Sequence, residues 1–285
     1  MKMIKIAVII ICYYPDNQKL SNLINACSHE NGMIYIANNG GINEEEVSAF
    51  SSNNVKVISF NQNLGLGKAI NTIASSLDDS VEVIFTFDQD SAPPLNYIDD
   101  VWHHYLELME LKVKLGVLTP RFIDARSGEE YNLKPLSSGG GYTELLITLQ
   151  SGMCIPRNTW EQQRFNSELF IEFVDTEWCY RIASKGFKIL QMNDVIMHHE
   201  VSEKAPVNFL GFKLLKYKPI RRYYFYRNAV FLIKQEYVPT YNKARLITGA
   251  INRLLSIFLL DDNKGKSLRE ASRGIIDGFK MSKRK

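Results

Sequence analysis

Residues 81–90 read VEVIFTFDQD, a β-branched and aromatic run that ends in two carboxylates one residue apart. Three more apolar runs precede it: KIAVIIIC at 5–12, MIYIA at 33–37 and VKVISF at 55–60. Stretches of helix length separate the four runs, at 17–28, 43–51 and 67–77. Strands that are apolar throughout are typical of a parallel sheet that helices cover on both faces. The sequence therefore predicts an α/β fold with a mostly parallel central sheet.

The pattern is looser after residue 113. Short strands are predicted at 116–120, 144–149, 188–192 and 195–199. The Gly- and Ser-rich residues 124–142 are typical of a mobile loop. Helical spacing over Asp175–Lys185 ends before Gly186, a common helix C-cap residue. From about residue 206 the chain is basic and aromatic, and we expect it to be mainly helical.

Composition excludes several classes of protein. With 285 residues, 45% of them hydrophobic and 23% charged, the chain is globular rather than disordered or fibrous. The four cysteines are dispersed without a C-x-x-C pair, which disfavours a disulfide scaffold or structural zinc site and fits a reducing compartment. No apolar run approaches the roughly 20 residues that span a bilayer. The short N-terminal run lacks a signal-peptide cleavage site, so we expect a cytoplasmic protein.

Charge is distributed unevenly along the chain. Residues 204–285 carry 19 of the 34 Lys and Arg residues but only 5 of the 31 Asp and Glu residues. Such a basic segment indicates an anionic partner: a membrane face, a nucleic acid or a phosphorylated substrate. Arginine and aromatic side chains alternate over 221–228, which fits a docking helix, a diphosphate contact or a membrane interface. No nucleic-acid-binding module surrounds this segment.

Three sets of side chains are candidates for chemistry. Asp88 and Asp90 follow a strand, where a carboxylate pair binds a divalent cation or merely forms a solvated turn. The glycine-containing loop 61–68 precedes a helix, where backbone amides bind an anion or only form the turn. Asp175 and Glu177 begin a helix, where one serves as a general base or both only favour the helix terminus.

The two carboxylates of 175–177 project about 200° apart on a helix and cannot both face one ligand. If Asp175 faces the site, Glu177 is free to pair with Arg181, four residues on. His198 and His199 end a predicted strand. A histidine there is more often structural, but it becomes a metal ligand if a carboxylate pair lies nearby.

Taken in order, these segments resemble the family 2 inverting nucleotide-sugar glycosyltransferases, which have the Rossmann-like GT-A fold, and among them the bacterial rhamnosyltransferases. The resemblance covers about residues 4–230. The matching segments include CYYPD at 12–16, NNG at 38–40, NLGLG at 63–67, FDQD at 87–90, SGM at 151–153, LFIEFVDTEWCYR at 169–181 and RRYYFYRN at 221–228. Each motif is weak alone, but their shared order is specific.

The resemblance implies a role for each matching residue. Asp175 matches the catalytic base. The metal site, for Mg²⁺ or Mn²⁺, matches Asp88, Asp90 and His199, with His198 as the adjacent alternative. The donor site comprises Tyr13, Asn38, Asn63, Gly65, Lys68 and Asp88. The acceptor side of the active-site wall comprises Ser151, Gly152 and Trp178. Asn38 replaces the Asp that usually meets the pyrimidine in this family, so the choice of nucleotide base is less determined.

The implied activity is transfer of L-rhamnose from dTDP-L-rhamnose to a hydroxyl of a bacterial surface polysaccharide precursor, in O-antigen or capsule synthesis. The acceptor would be lipid-linked or an oligosaccharide. UDP-glucose, UDP-galactose and UDP-galactofuranose are alternative donors. A non-catalytic nucleotide-binding or membrane-docking protein is the alternative from another class.

The resemblance also suggests how the chain is organised. We expect a catalytic domain at 1–203, with a nucleotide-binding half at about 1–120 and an acceptor half at about 121–203. The basic region 204–285 would then dock on the anionic inner face of the plasma membrane. No nucleic-acid partner is expected, and the sequence does not indicate an oligomeric state.

Overall fold

A computed structural model describes residues 4–125, 128–131, 133–199, 207–209 and 212–283. The strands are β1 (Ile6–Cys12), β2 (Gly32–Asn38), β3 (Val55–Ser59), β4 (Val83–Asp88), β5 (Leu115–Asp124), β6 (Pro135–Gly139), β7 (Tyr142–Leu145), β8 (Met153–Pro156), β9 (Lys188–His199), β10 (Val207–Phe209) and β11 (Phe212–Leu214). The helices are α1 (Asn17–Ala26), α2 (Glu44–Phe50), α3 (Leu66–Ala74), α4 (Tyr97–Glu110), α5 (Arg157–Gln162), α6 (Val174–Ser184), α7 (Pro219–Lys234), α8 (Thr240–Leu260) and α9 (Lys264–Lys280).

The main sheet has the strand order β3-β2-β1-β4-β8-β5-β9-β7-β6. Strands β1 to β4 are parallel to one another, as their apolar runs predict. Strand β8 runs antiparallel between β4 and β5, and β9 is parallel to β5. The carboxyl ends of β1, β2 and β4 coincide: Cys12 pairs with Asn38, and Ile11 pairs with Asp88. The residues after these strands therefore share one edge of the sheet.

Both faces of the parallel strands are buried. In β1, Ile6, Val8 and Ile10 pack into the core on one side of the sheet. Ala7 and Ile9 pack into the core on the other side. This two-sided burial accounts for the absence of alternation in the sequence of β1 and confirms the predicted α/β class.

The region after β5 differs from the sequence-based expectation. Part of the loop predicted over 124–142 is strand β6, which forms an antiparallel hairpin with β7 through Gly140 and Gly141, both with positive φ. The strand predicted at 144–149 begins earlier and ends at Leu145. The two strands predicted at 188–192 and 195–199 are one continuous strand, β9. Its pairing with β5 shifts register between Thr119, which pairs with Gln191, and Arg121, which pairs with Ile196. The extra residues of β9 at this shift lie where the two predicted strands were separated.

The basic C-terminal region begins with the small β10–β11 hairpin and continues as α7, α8 and α9. Helix α9 crosses α7 closely, because a Cβ at Gly274 would lie 2.3 Å from the carbonyl oxygen of Tyr223. Phe231 and Leu232 of α7 belong to the same hydrophobic core as the sheet. Among the described residues, no helix combines the length and apolar character that a membrane crossing needs.

Candidate active site

The first two predicted carboxylates lie at the carboxyl edge of the parallel strands. Asp88 is the last residue of β4, beside Ile11 of β1. Asp90 follows two residues later and is exposed. Burial and the nearby charges of Asp90 and Asp175 raise the pKa of Asp88 to about 7. The structure therefore brings Asp88, Asp90 and Asp175 into one group, which we call the carboxylate cluster, although Asp175 is distant in sequence.

Asp175 lies in the first turn of α6, where the helix N-terminus favours a negative charge. Its carboxylate accepts hydrogen bonds from the backbone N–H of Thr176 at 2.7 Å and from the Thr176 hydroxyl at 3.3 Å. The backbone N–H of Gln150 also donates to it. Burial raises the pKa of Asp175, while these hydrogen bonds oppose the rise. The result is a fixed carboxylate with the strengthened basicity that a proton acceptor needs.

The backbone that leads into Asp175 is strained. Glu172 and Phe173 have φ values of 65° and 63°, in the left-handed region that non-glycine residues rarely adopt. Helix α7 holds this segment in place. The side-chain amide of Asn228 donates to two successive carbonyl oxygens, at 2.8 Å each, the second being that of Glu172. Arg221 pairs with the Glu172 carboxylate at 2.8 Å. The basic C-terminal region therefore supports the start of the helix that carries the candidate base.

The segment 150–152 packs directly beside the end of β4. The N–H of Gly152 donates to the carbonyl of Thr86 at 2.8 Å, and the Thr86 hydroxyl donates to the carbonyl of Gln150 at 2.8 Å. The backbone N–H of Asp88 donates to the Ser151 hydroxyl at 3.5 Å. Ser151 is only 1% exposed. Ser151 and Gly152 therefore pack against the end of β4 and help to fix the position of Asp88.

Gln150 is a site residue that sequence reasoning missed. Gln150 is only 3% exposed, and neither the nitrogen nor the oxygen of its side-chain amide has a hydrogen-bond partner among the described residues. Leaving a buried amide unpaired costs about 1–3 kcal/mol, so native proteins rarely do it without a reason. Its own backbone bonds to Asp175 place this amide next to the candidate base. The only signal in the sequence is its position directly before the Ser151-Gly152 motif.

Tyr13 and Tyr14 follow β1 and are among the most exposed aromatic residues, at 53% and 70%. The backbone N–H of Tyr13 donates to the side-chain oxygen of Gln89 at 2.6 Å. Gln89 is the residue between Asp88 and Asp90, so this bond joins the tyrosine loop to the carboxylate cluster. The backbone of Tyr13 is thus fixed at the edge where a donor nucleotide is predicted to lie.

The side-chain amide of Asn38 is used within the chain. Its nitrogen donates to the carbonyl of Ile42 at 2.9 Å and to the Ser59 hydroxyl at 3.0 Å. Its oxygen accepts from the N–H groups of Gly40 at 3.0 Å and Ile42 at 3.4 Å. Asn38 therefore closes the turn after β2, and contact with a nucleotide base would require one of these bonds to break.

The loop before α3 has a similar internal structure. The side-chain oxygen of Asn63 accepts from the N–H of Gly65 at 2.8 Å. Gly65 has a φ of 74°, and a Cβ there would lie 2.4 Å from the carbonyl oxygen of Phe170, so the loop requires glycine. Lys68 is exposed in the first turn of α3, where a helix N-terminus and a cation together suit an anionic ligand.

The structure describes only one of the two histidine side chains that were predicted as alternative metal ligands. His199 ends β9, but its side chain lies outside the described residues. His198 is exposed, and its backbone pairs with Ala92, two residues beyond Asp90. The end of β9 therefore lies beside the carboxylate cluster. Among the described side chains, no group of three His, Cys, Asp or Glu residues is arranged to hold a metal ion by itself.

Two predictions for α6 have opposite outcomes. Trp178 has no exposed surface and stacks on Phe165, with ring centroids 5.0 Å apart. It belongs to the hydrophobic core, so its assignment to the active-site wall is wrong. Glu177 is also fully buried and pairs with Arg181 at 2.8 Å, which confirms the predicted i,i+4 ion pair. Glu177 therefore turns away from Asp175 and stabilises the helix in the core.

Comparison with known proteins finds a curated protein of similar sequence and solved structures of similar fold. No model of a protein family matches the chain. The dTDP-rhamnosyl transferase RfbF of Shigella flexneri is 26% identical over 288 residues, which cover 96% of this chain and 95% of RfbF.

Two solved structures show the shared fold at low sequence identity. The crystal structure of S. aureus TarS 1–349 in complex with UDP-GlcNAc has a TM-score of 0.61 and 14% identity, and the match covers 96% of this chain and 81% of that one. The structure of GalNAc-T7 with UDP, GalNAc and Mn²⁺ has a TM-score of 0.54 and 12% identity, covering 87% of this chain and 55% of that one. These matches show that the chain shares the fold of the two solved structures, and its sequence similarity to RfbF extends over nearly the whole of both chains.

Proposed function

We propose that this protein transfers L-rhamnose from dTDP-L-rhamnose to a hydroxyl group of a bacterial surface polysaccharide precursor. The observation that carries the proposal is the carboxylate cluster at the carboxyl edge of the parallel strands. Asp88 and Asp90 are suited to bind a divalent cation on a donor diphosphate. Asp175 is suited to accept the proton of an acceptor hydroxyl. The similarity to a dTDP-rhamnosyl transferase over nearly the whole chain supports the choice of donor.

The chemistry of the cluster fits Mg²⁺ or Mn²⁺. Burial and the like charges of Asp90 and Asp175 oppose ionisation of Asp88, and a bound cation would remove this penalty. Asp88 and Asp90 supply carboxylate oxygens, the ligand type that both ions prefer, and leave positions for diphosphate and water. Such a cation offsets negative charge on the departing diphosphate.

In the proposed reaction, the acceptor hydroxyl attacks the anomeric carbon of the donor sugar as the bond to the diphosphate breaks. A single displacement of this kind inverts the anomeric configuration, so a β-linked rhamnose donor gives an α-rhamnoside. The hydroxyl proton passes to the carboxylate of Asp175. The hydrogen bonds from Thr176 and Gln150 hold that carboxylate in one orientation for the transfer. The buried side-chain amide of Gln150 has no hydrogen-bond partner among the described residues, and it would bind a sugar hydroxyl that reaches it.

A panel of nucleotide sugars tests the donor. Purified protein is incubated with dTDP-L-rhamnose, UDP-glucose, UDP-galactose or UDP-galactofuranose, each with Mg²⁺ or Mn²⁺, and the release of nucleoside diphosphate is measured. We expect the highest kcat/KM for dTDP-L-rhamnose. Faster turnover of a UDP sugar would reassign the donor. No turnover of any donor, by protein that binds nucleotide, would favour the non-catalytic alternative.

The proposal includes peripheral docking on an anionic membrane. Helix α8 exposes a stripe of large apolar side chains, each 40–55% exposed: Ile247, Ile251, Leu254, Leu255, Phe258 and Leu259. Their spacing of three and four residues places them on one face of the helix. The surrounding C-terminal region carries most of the excess positive charge of the chain. An apolar stripe within a basic region is the pattern of helices that lie in a membrane interface.

A further inference from the structure

A cavity of about 320 Å³ lies between α6, α7 and α8, next to the candidate base. It is lined by Thr176, whose N–H and hydroxyl bond to Asp175. Arg245 and Arg253 of α8 line another side. None of the described lining residues is Asp or Glu, and most of the others are apolar, aromatic or amide side chains. The cavity therefore combines positive charge with an apolar surface, close to the site of proton transfer.

Arg253 is held in place but has an unused hydrogen-bond donor. Its guanidinium lies 3.8 Å from the ring centroid of Phe225 and 4.1 Å from that of Tyr217. One terminal nitrogen lies 3.6 Å from the Glu172 carboxylate. The other terminal nitrogen is buried, and among the described residues no acceptor bonds to it. An anion in the cavity would supply that acceptor.

Gly249 lies in the interior of α8 and lines the same cavity. Glycine there destabilises a helix relative to alanine. Neither packing nor backbone conformation requires it, because an added Cβ would meet no atom within 4 Å and its φ is not in the left-handed region. Because Gly249 lies about one helical turn from each of the two arginines, a large side chain at this position would extend into the cavity.

We propose that this cavity binds a phosphate or diphosphate group of the acceptor, so that the attacking hydroxyl reaches Asp175. Two guanidinium groups without a carboxylate in the lining suit phosphate oxygens. The apolar and aromatic lining suits a carbon chain or sugar face attached to that phosphate. The inference rests on the proposed function and specifies the chemical class of its acceptor.

Calorimetric titration of the full chain in EDTA tests this directly. The probes are inorganic pyrophosphate, farnesyl diphosphate and farnesol. We expect both diphosphates to bind and farnesol not to bind. Tighter binding of farnesyl diphosphate than of pyrophosphate assigns the cavity to a prenyl diphosphate-linked acceptor. Equal binding assigns it to the phosphate of a sugar alone.

Variants locate the binding in the cavity. Arg245 is exposed, so Arg245→Gln should fold normally and weaken diphosphate binding about tenfold or more. Gly249→Leu should fill the space and remove binding, whereas the matched variant Gly249→Ala should retain most of it. Lys68→Gln removes the exposed cation of the donor loop and should bind diphosphate like the wild type in EDTA.

Three results would overturn the inference: no diphosphate binding by the wild type at millimolar concentration, equal binding by wild type, Arg245→Gln and Gly249→Leu, or loss of binding in Lys68→Gln. The last result would place the probe in the donor site. Failure of the proposed function is distinguishable, because it is read as absent turnover of every nucleotide sugar by wild-type protein. Diphosphate binding in EDTA does not depend on that turnover.

Discussion

Asp175 and Glu177 differ in role because only one of them has a positive partner in the core. Glu177 has no exposed surface and forms an ion pair with Arg181, which also donates to the side-chain oxygen of Gln163 at 2.8 Å. Asp175 has hydrogen bonds but no ion pair with any residue that the structure describes, and it lies near the charge of Asp88. The carboxylate without a cation of its own is the one suited to accept a proton.

Substitution of each carboxylate by its amide separates these roles. Asp175→Asn should lower the transfer rate by about 10² to 10⁴, the usual contribution of a general base, and leave donor affinity intact. Glu177→Gln leaves Arg181 buried without its partner charge and should lower the free energy of unfolding by about 3 kcal/mol or more. Transfer rates, donor binding and urea unfolding of both variants provide the test. An active Asp175→Asn beside a folded but inactive Glu177→Gln would assign the base to Glu177.

Asp88 makes stability depend on pH in the metal-free protein. Because its pKa is raised from the ordinary 3.8 to about 7, folding favours the protonated form. That contribution is fully present below pH 3.8 and is lost as the pH rises through 7. The shift corresponds to at most about 4 kcal/mol.

Asp88→Asn removes the group that titrates. In EDTA the variant should be more stable than the wild type at pH 8, and this difference should shrink as the pH falls toward 4. Urea unfolding at pH 5 and pH 8 measures it. An equal difference in stability at both pH values would show that the pKa of Asp88 is not raised. Whatever this result, we expect Asp88→Asn to lose sugar-transfer activity.

The sequence predicted several candidate site residues but not the state of their side chains. Asp88, Asp90 and Asp175 follow from strand ends and a helix start, which are local patterns. The internal bonds of Asn38 and the burial of Gln150 depend on contacts with distant segments, so no local pattern indicates them.

At the scale of elements, α7 stabilises the strained entry to α6. The two hydrogen bonds from Asn228, to the carbonyls of Ile171 and Glu172, and the ion pair from Arg221 help to hold Glu172 in the left-handed conformation. Strain of this kind persists only where the surrounding structure fixes it. Asn228 is therefore a positioning residue for Asp175.

Asn228→Ala removes both hydrogen bonds to the entry segment. We expect about 2 kcal/mol lower stability and a kcat at least tenfold lower, with little change in KM for the donor, because the base is displaced while the donor site is intact. Tyr223→Phe is the matched control on α7, since it removes a bond from the Tyr223 hydroxyl to Asp277 at 3.1 Å, away from α6. A similar fall in kcat for both variants would show that Asn228 stabilises the fold but does not position Asp175.

The elements that the sequence predicted best are those with continuous apolar runs. Strands β1, β2 and β4 are covered on both faces, and their sequences are accordingly almost entirely apolar. Strand β3 lies at the edge of the sheet and is only partly buried. Strand β6 is exposed at every residue and lies at the edge of the sheet, so its Gly- and Ser-containing sequence carries no burial signal. Its existence depends on pairing with β7, which only the tertiary structure provides.

At the scale of the whole molecule, the basic C-terminal region has two surfaces with different tasks. One surface packs on the part of the chain that contains the main sheet, through Phe231 and Leu232 in the shared core. The other exposes the apolar stripe of α8. The first surface supports the base, and the second is the one that we propose to dock on a membrane.

Vesicle co-sedimentation tests the docking. Wild-type protein should bind vesicles that contain phosphatidylserine, and binding should weaken as salt is raised. Phe258→Asp removes an inserted aromatic side chain and should weaken binding at least about tenfold. Leu111→Asp makes a similar change at an exposed leucine of the body and should have no effect. Binding that is absent at low salt, or a stripe that instead pairs two copies of the chain in sedimentation velocity, would contradict the docking.

The most direct test of the central claim is the release of dTDP from dTDP-L-rhamnose by wild-type protein and by Asp90→Asn, each with Mn²⁺ and with EDTA. We predict release by the wild type with Mn²⁺ and a loss of at least about a hundredfold with EDTA or in the folded variant, because the carboxylate pair holds the cation on the diphosphate. Equal release by wild type and Asp90→Asn, or no release by folded wild-type protein, would contradict the claim.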